Sequence, residues 1–305
     1  MKSASSIEGR LSAGQCCSRL ADFLQGPPSS GIVHSVFCSS VNLEAEGHLI
    51  TLLRQDRPLY PWSARLCTDR LPPFREGMAF TAGPEGFYFA ELRLLVSLQE
   101  AHRTDCSLFS LPDPLFVPGA EQIGLLRETI VRHGKPEGFA PLLGILAQQE
   151  VPFPSNLYAD YAAKKLPLFF AAVSAGDIPA AAQAAWAITG CGIGLTPSAD
   201  DFLCGVMTAL LATAIAKGEA EKVLPLTRAI AAKAASRTNR ISGTFLSEAG
   251  EGLLSEDVLR LIQTLYSCVL SQGLAASAMN VIAFGETSGT DILTGIYFGQ
   301  KIYPN

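Results

Sequence analysis

The sequence predicts an α+β fold in two parts: an antiparallel β-rich domain with an N-terminal helix over residues 1–115, then an α-helical domain over residues 116–305. Three observations predict it. In the first part apolar residues alternate, or run in short bursts between turn residues, as they do in strands. In the second part the chain turns alanine- and leucine-rich and the apolar period becomes helical. Between them, "LPDPLFVPGA" (111–120) sets three prolines in ten residues, which continues neither kind of element.

After a helix-like start, residues 31–110 read as strands and turns. "GIVHSVFCSSVNLEA" and "HLITLLRQ" are joined by a turn at Glu46-Gly47, and "GMAFTAGPEGFYFAELRLLV" folds back around Gly83-Pro84-Glu85-Gly86. His34 reads as a half-buried strand residue, and Trp62 and the aromatics of "FYF" (87–89) as core. "RHGKPEG" (132–138) reads as an exposed helix end and turn. Helices are predicted over 121–132, 156–174, 178–189, 199–217, 221–236, 239–251, 255–270, 274–283 and 289–299.

The composition excludes some function classes. A 305-residue chain that is 48% hydrophobic has ample core for one large domain or two ordinary ones. Its net charge is -5 and it lacks a Lys/Arg-rich block, which argues against nucleic acid as a partner. The N-terminus has no continuous apolar signal-peptide segment. The most apolar run, Phe202 to Ala216, is shorter than the roughly 20 residues that cross a bilayer. It is bracketed by Asp201 and Lys217, so a buried helix and no membrane partner are expected. Eight cysteines without a CxxC pair suggest reduced, partly buried thiols in the cytoplasm. The histidines are at 34, 48, 102 and 133, which rules out a His-based zinc site in the second half.

Chemistry concentrates in "GCGIGLTPSADDFLCG" (190–205) and its echo "FGETSGTDILTG" (284–295). With Asp201 aligned on Asp291, Ser198 matches Ser288, Leu203 matches Leu293 and Gly205 matches Gly295. Ser-x-x-Asp is close to a capping box, in which the acid reaches back to its own cap, and that alone is a sufficient structural explanation. Three features point further. Gly205 and Gly295 fall inside helices, where glycine costs about 1 kcal/mol, so the helices are expected to pack together there. Gly190, Gly192 and Gly194 lead into a helix N-terminus, where free N–H groups and the helix dipole favour an anion. Asp200 is not needed for the cap, and its carboxylate is expected to be free to face a pocket. A third stretch, "SRTNRISGTFL" (236–246), puts Arg237 and Arg240 on one helical face with Thr238 nearby. The candidate site is therefore Asp200 and Asp201 for catalysis, with Gly192, Gly194, Thr196, Ser198, Arg237, Thr238, Arg240, Thr287, Ser288 and Asp291 for a small anionic substrate. No protein ligand set for a metal is assigned and no cofactor is expected. Mg²⁺ on the aspartate pair is the alternative left open.

The run "GIGLTPSADDFLCG", followed by "RTNRIS" and "GETSGTDILTG", resembles a bacterial family, long described as of unknown function, that includes the AllH subunit of oxamate carbamoyltransferase. Family members typically read Gly-Leu-Thr-Pro-Ser-Gly-Asp-Asp, and Ala199 stands here in place of that last glycine. Glu286 stands where the family is expected to carry His. The resemblance implies a multi-subunit enzyme of allantoin (purine) catabolism that interconverts oxamate plus carbamoyl phosphate with oxalurate plus phosphate, and hence other protein subunits as partners. Three readings follow: an enzyme subunit binding a small anion between the motif helices; a non-catalytic ligand-binding or assembly subunit; and a metal-dependent hydrolase using the aspartate pair.

Overall fold

A computed structural model of the chain describes residues 8–112, 114–147, 150–268 and 273–304. It divides into two compact units, residues 1–107 and 108–305.

The first unit is a β-barrel. Its strands are β1 (Gly9–Cys17), β2 (Ser29–Val36), β3 (Ser40–Ala45), β4 (His48–Leu53), β5 (Ser63–Leu66), β6 (Ala79–Gly83), β7 (Gly86–Phe89), β8 (Leu94–Ser97) and β9 (His102–Thr104). They lie in the order β5-β4-β3-β2-β6-β7-β8-β1-β9, and a β5–β1 pairing closes the ring. Both expected turns are present: Glu46 and Gly47 adopt φ of 48° and 78°, and Gly83 pairs with Gly86 across a two-residue loop. Most pairings are antiparallel, but β1–β8, β1–β9 and β4–β5 are parallel. The helix-like start needs correction. A helix does form, α1 (Ser18–Leu24), but the residues before it are the strand β1, which closes the barrel. Val33, Leu43, Ile50, Leu52, Phe87 and Phe89 pack inside. Trp62 is only partly buried and stacks on His48 at 4.0 Å.

The second unit is helical: α2 (Ala120–His133), α3 (Leu142–Ile145), α4 (Leu157–Ala163), α5 (Leu166–Ser174), α6 (Ile178–Ile188), α7 (Ser198–Ala216), α8 (Ala220–Ala235), α9 (Arg240–Gly250), α10 (Glu256–Leu265), α11 (Gly273–Ile282) and α12 (Ser288–Gly299). The helix expected over 156–174 is broken into α4 and α5, with Pro167 in the first turn of the second. The one expected over 255–270 stops at Leu265, and residues 269–272 lie outside the described residues. Among the described residues, helix starts with side-chain caps are those at Asn156, Asp177, Asn239 and Ser255. α7 is long and apolar enough to cross a membrane by length and composition, yet Ser198 through Ala214 are all buried within the unit. A helix apolar all round is a central core helix. All eight cysteines are free thiols.

Candidate functional site

The site grows from the crossing of α7 and α12. Both helices are almost wholly buried, so each is surrounded by other helices rather than lying on the surface. They meet at the two helical glycines of the motif. A Cβ on Gly205 would lie 2.0 Å from the carbonyl oxygen of Ile292, and one on Gly295 would lie 2.1 Å from that of Phe202. No side chain larger than hydrogen fits at either position, which explains the cost in helix propensity that the sequence accepts there.

Close packing at the glycines brings the first turns of the two helices together, and the Ser-x-x-Asp motifs then pair crosswise. The hydroxyl of Ser198, on α7, bonds to the carboxyl of Asp291, on α12. The hydroxyls of Ser288 and Thr196 face the carboxyl of Asp201. Thr196 and Ser288 are themselves in contact, Oγ1 to Oγ at 2.9 Å, and Thr287 also bonds to Asp291. This corrects the local capping box. The caps of α7 and α12 are Pro197 and Thr287, and neither makes a side-chain cap bond. The hydroxyl that would have capped its own helix turns instead to the acid of the neighbouring helix.

Asp201 and Asp291 are 3% and 0% exposed. Burial, and after it the neighbouring Asp291, holds the Asp201 carboxyl well above the usual carboxylate range. Burial pushes Asp291 up to about 7, against the opposing pull of the Phe139 N–H and the Ser198 and Thr287 hydroxyls. The Phe139 N–H donates to Asp291 Oδ1 at 2.6 Å. On each residue Oδ2 is buried with no hydrogen-bond partner.

Asp200 has another role. It is 1% exposed. Its Oδ1 accepts from the Gly190 N–H at 2.7 Å, and its Oδ2 accepts from the hydroxyls of Thr238 at 2.5 Å and Ser242 at 2.7 Å. The expectation of a carboxylate free to face a pocket is thus corrected: three donors from the glycine loop and the start of α9 converge on it. Asp200 is what brings the third motif to the first. Thr238 is held by Asp200 and is directed to that carboxylate.

The loop 190–197 lies over this framework. Gly192 adopts φ 129° with Ser198 N where a Cβ would be, at 2.3 Å, whereas the space beside Gly194, at φ 92°, is open. Ile193 and Leu195 are about half exposed, at 51% and 55%. The Asn239 side-chain amide donates to the Leu195 carbonyl at 2.7 Å, so α9 begins beside the loop. Among the described residues, the N–H groups of residues 192–196 have no protein acceptor. Arg237 is exposed, stacks on Trp186 at 4.2 Å and donates to the Trp186 carbonyl at 2.7 Å. Arg240 is the exposed first residue of α9.

The structure therefore brings all three motifs together within the helical unit. Of the candidate residues, Ser198, Asp200, Asp201, Thr287, Ser288 and Asp291 are buried, Gly192, Thr196 and Thr238 are half-buried, and Gly194 and both arginines are exposed. Sequence reasoning missed the segment after α2. Far from being an exposed turn throughout, it seals the carboxyl pair: a Cβ on Gly138 would lie 2.3 Å from Asp291 Oδ1, and the Lys135 N–H donates to Thr290 Oγ1 at 3.1 Å. The signal available was a pair of glycines, 134 and 138, flanking a proline just before the buried run from Phe139.

Two family models match the chain. One, described as oxamate carbamoyltransferase subunit AllH, covers residues 188–300 and so contains all three motifs. The other, the AllH family N-terminal domain, covers residues 10–103, within the barrel. No curated protein and no solved structure matches.

Proposed function

The chain belongs to the AllH-like family, and on that premise we propose that it is the subunit of a carbamoyltransferase-type enzyme that holds a small anion on the loop 192–196, with Arg237 and Arg240 alongside. The reaction class is oxamate plus carbamoyl phosphate giving oxalurate plus phosphate, or its reverse. In the forward direction the oxamate nitrogen attacks the carbamoyl carbon, the bond to the phosphate oxygen breaks, and the nitrogen loses a proton. Negative charge accumulates on the carbonyl and leaving-group oxygens, so the transition state needs fixed N–H donors and guanidiniums.

The observation that carries this reading is the run of N–H groups at 192–196 without protein acceptors, beside two exposed arginines. Consecutive N–H groups in a glycine-rich turn at a helix start are an anion-binding arrangement. In this reading Asp200 and Asp201 frame the loop and do not touch substrate; the residues that do are on the loop, on α9 and on partner subunits. The chain works in the cytoplasm, without nucleic acid or membrane. The test is calorimetry and thermal shift with carbamoyl phosphate, oxamate, oxalurate and phosphate, on the purified chain and on the chain with its partner subunits. At least one of these anions raises the melting temperature, as binding to the native state requires. Absence of any effect in both preparations removes the reading.

A second reading, a non-catalytic assembly subunit, is favoured by the half-exposed Ile193 and Leu195 at the loop apex. Serine at both positions would then abolish co-purification with partner subunits while leaving the fold intact.

A further inference from the structure

The buried aspartates of the two motifs pose a charge problem that no buried cationic side chain among the described residues solves. Among the described residues four acids are fully buried, Asp200, Asp201, Glu248 and Asp291, and no Lys, Arg or His is. The groups that face the pair from the packed elements make matters worse. Asp200 and the thiol of Cys204 sit on α7, and Glu248 on α9 adds to the negative field at Cys204. Lys135 and Glu137 on the covering segment point to solvent, as does Glu286 on the loop before α12, and α11 carries no charged residue. Two adjacent carboxylates, both ionised and both buried, would cost several kcal/mol each.

Asp201 Oδ2 and Asp291 Oδ2 are both buried and both lack a hydrogen-bond donor. The polar groups nearby, the hydroxyls of Ser198, Ser288, Thr196 and Thr287 and the Phe139 N–H, face the pair without reaching those two atoms. We propose that Asp201 and Asp291 hold a single proton between them, one residue acting as acid and the other as carboxylate. One proton carried by the pair halves its buried charge. A bound cation is the less suitable neutraliser: the first turns of α7 and α12 present the positive ends of two helix dipoles to the same place. No cluster of three or more His, Cys, Asp or Glu among the described residues offers a metal site.

The linkage sign follows. A carboxyl whose folded pKa is raised above its unfolded value contributes stability fully present below the unfolded value, and that contribution is lost as pH rises through the folded value. For Asp291 this is the window from about 4 up through about 7. The upward shift of Asp201 acts in the same direction.

The experiment uses the whole chain and no substrate. Infrared spectra are recorded with and without ¹³C-carboxyl aspartate at neutral pH. A protonated-carboxyl C=O band that shifts with the label is expected in the wild type and is lost in D201N. D201N removes one buried acid and the repulsion between it and Asp291, so D201N is expected to match or exceed the wild-type melting temperature at about pH 8 and to lose much of the decline between about pH 5 and 8. Absence of the labelled band in the wild type overturns the proposal even if D201N fails to fold. So does a wild-type melting temperature that rises with K⁺ or Mg²⁺ and loses that dependence in D201N, which would identify a cation as the neutraliser.

Discussion

Gly205 and Gly295 touch. A Cβ on Gly295 would lie 3.0 Å from the Cα of Gly205 and closer still to the Phe202 carbonyl. This contact sets how near α7 and α12 approach, and therefore whether Ser198 reaches Asp291 and Ser288 reaches Asp201. Alanine at an ordinary helical glycine stabilises by about 1 kcal/mol. Here the added methyl meets backbone that cannot yield without separating the helices. Gly205→Ala and Gly295→Ala should each destabilise by about 1–3 kcal/mol. Chemical denaturation checks it; a stabilised variant at either position would mean that the helices do not cross there.

Asp200 should behave as a structural residue. Asp200→Ala leaves three donors without their acceptor, at about 1–3 kcal/mol for the buried group. Asp200→Asn replaces one acceptor oxygen by a donor among donors and should also lower the melting temperature. Hydrogen exchange should quicken at Gly190 and at the first turn of α9, the elements that Asp200 ties together. Unchanged exchange at both would remove the clamp role.

The arginines should separate binding from stability. Arg237 is exposed, and its loss removes a stacking contact with Trp186 and one hydrogen bond, worth about 1 kcal/mol or less. Arg237→Ala and Arg240→Ala should each weaken anion binding about tenfold or more, as loss of a charge-assisted contact of about 1.5–3 kcal/mol does. If calorimetry finds unchanged affinity in both variants, the anion lies elsewhere.

The covering segment should be coupled to the carboxyl pair. Gly138→Ala drives a methyl onto Asp291 Oδ1 and displaces it from the Phe139 N–H. In a double-mutant cycle with Asp291→Ala, the methyl should cost much less once the carboxylate is gone, a coupling of about 0.5–3 kcal/mol. Additive effects would show that the segment does not report on Asp291.

Much of the fold was legible, for identifiable reasons. The helical unit announces itself through apolar period and through caps such as Asp177 and Asn239, which act locally. The hairpin at Gly83–Gly86 is likewise local. β1 was not legible. "GRLSAGQCC" has little strand propensity of its own, and it becomes a strand because β5, β8 and β9 offer it edges. At the site, the matched motifs and their glycines revealed that α7 and α12 pack together. They could not reveal that each serine serves the other helix's aspartate, because Ser-x-x-Asp reads the same whether its partner is local or across a crossing. The surroundings of Asp200 and Asp291 depended on the third motif and on the segment before Phe139, both distant in sequence.

The central claim is that the N–H groups of residues 192–196 hold the anion, and the most direct test is to watch them. In ¹⁵N-labelled chain, with partner subunits added if the chain alone binds nothing, carbamoyl phosphate or phosphate is titrated while the amide resonances are followed. The account predicts saturable shifts concentrated at Gly192, Ile193, Gly194, Leu195 and Thr196, abolished or weakened in Arg237→Ala. Saturable binding that leaves those five resonances unmoved would contradict it.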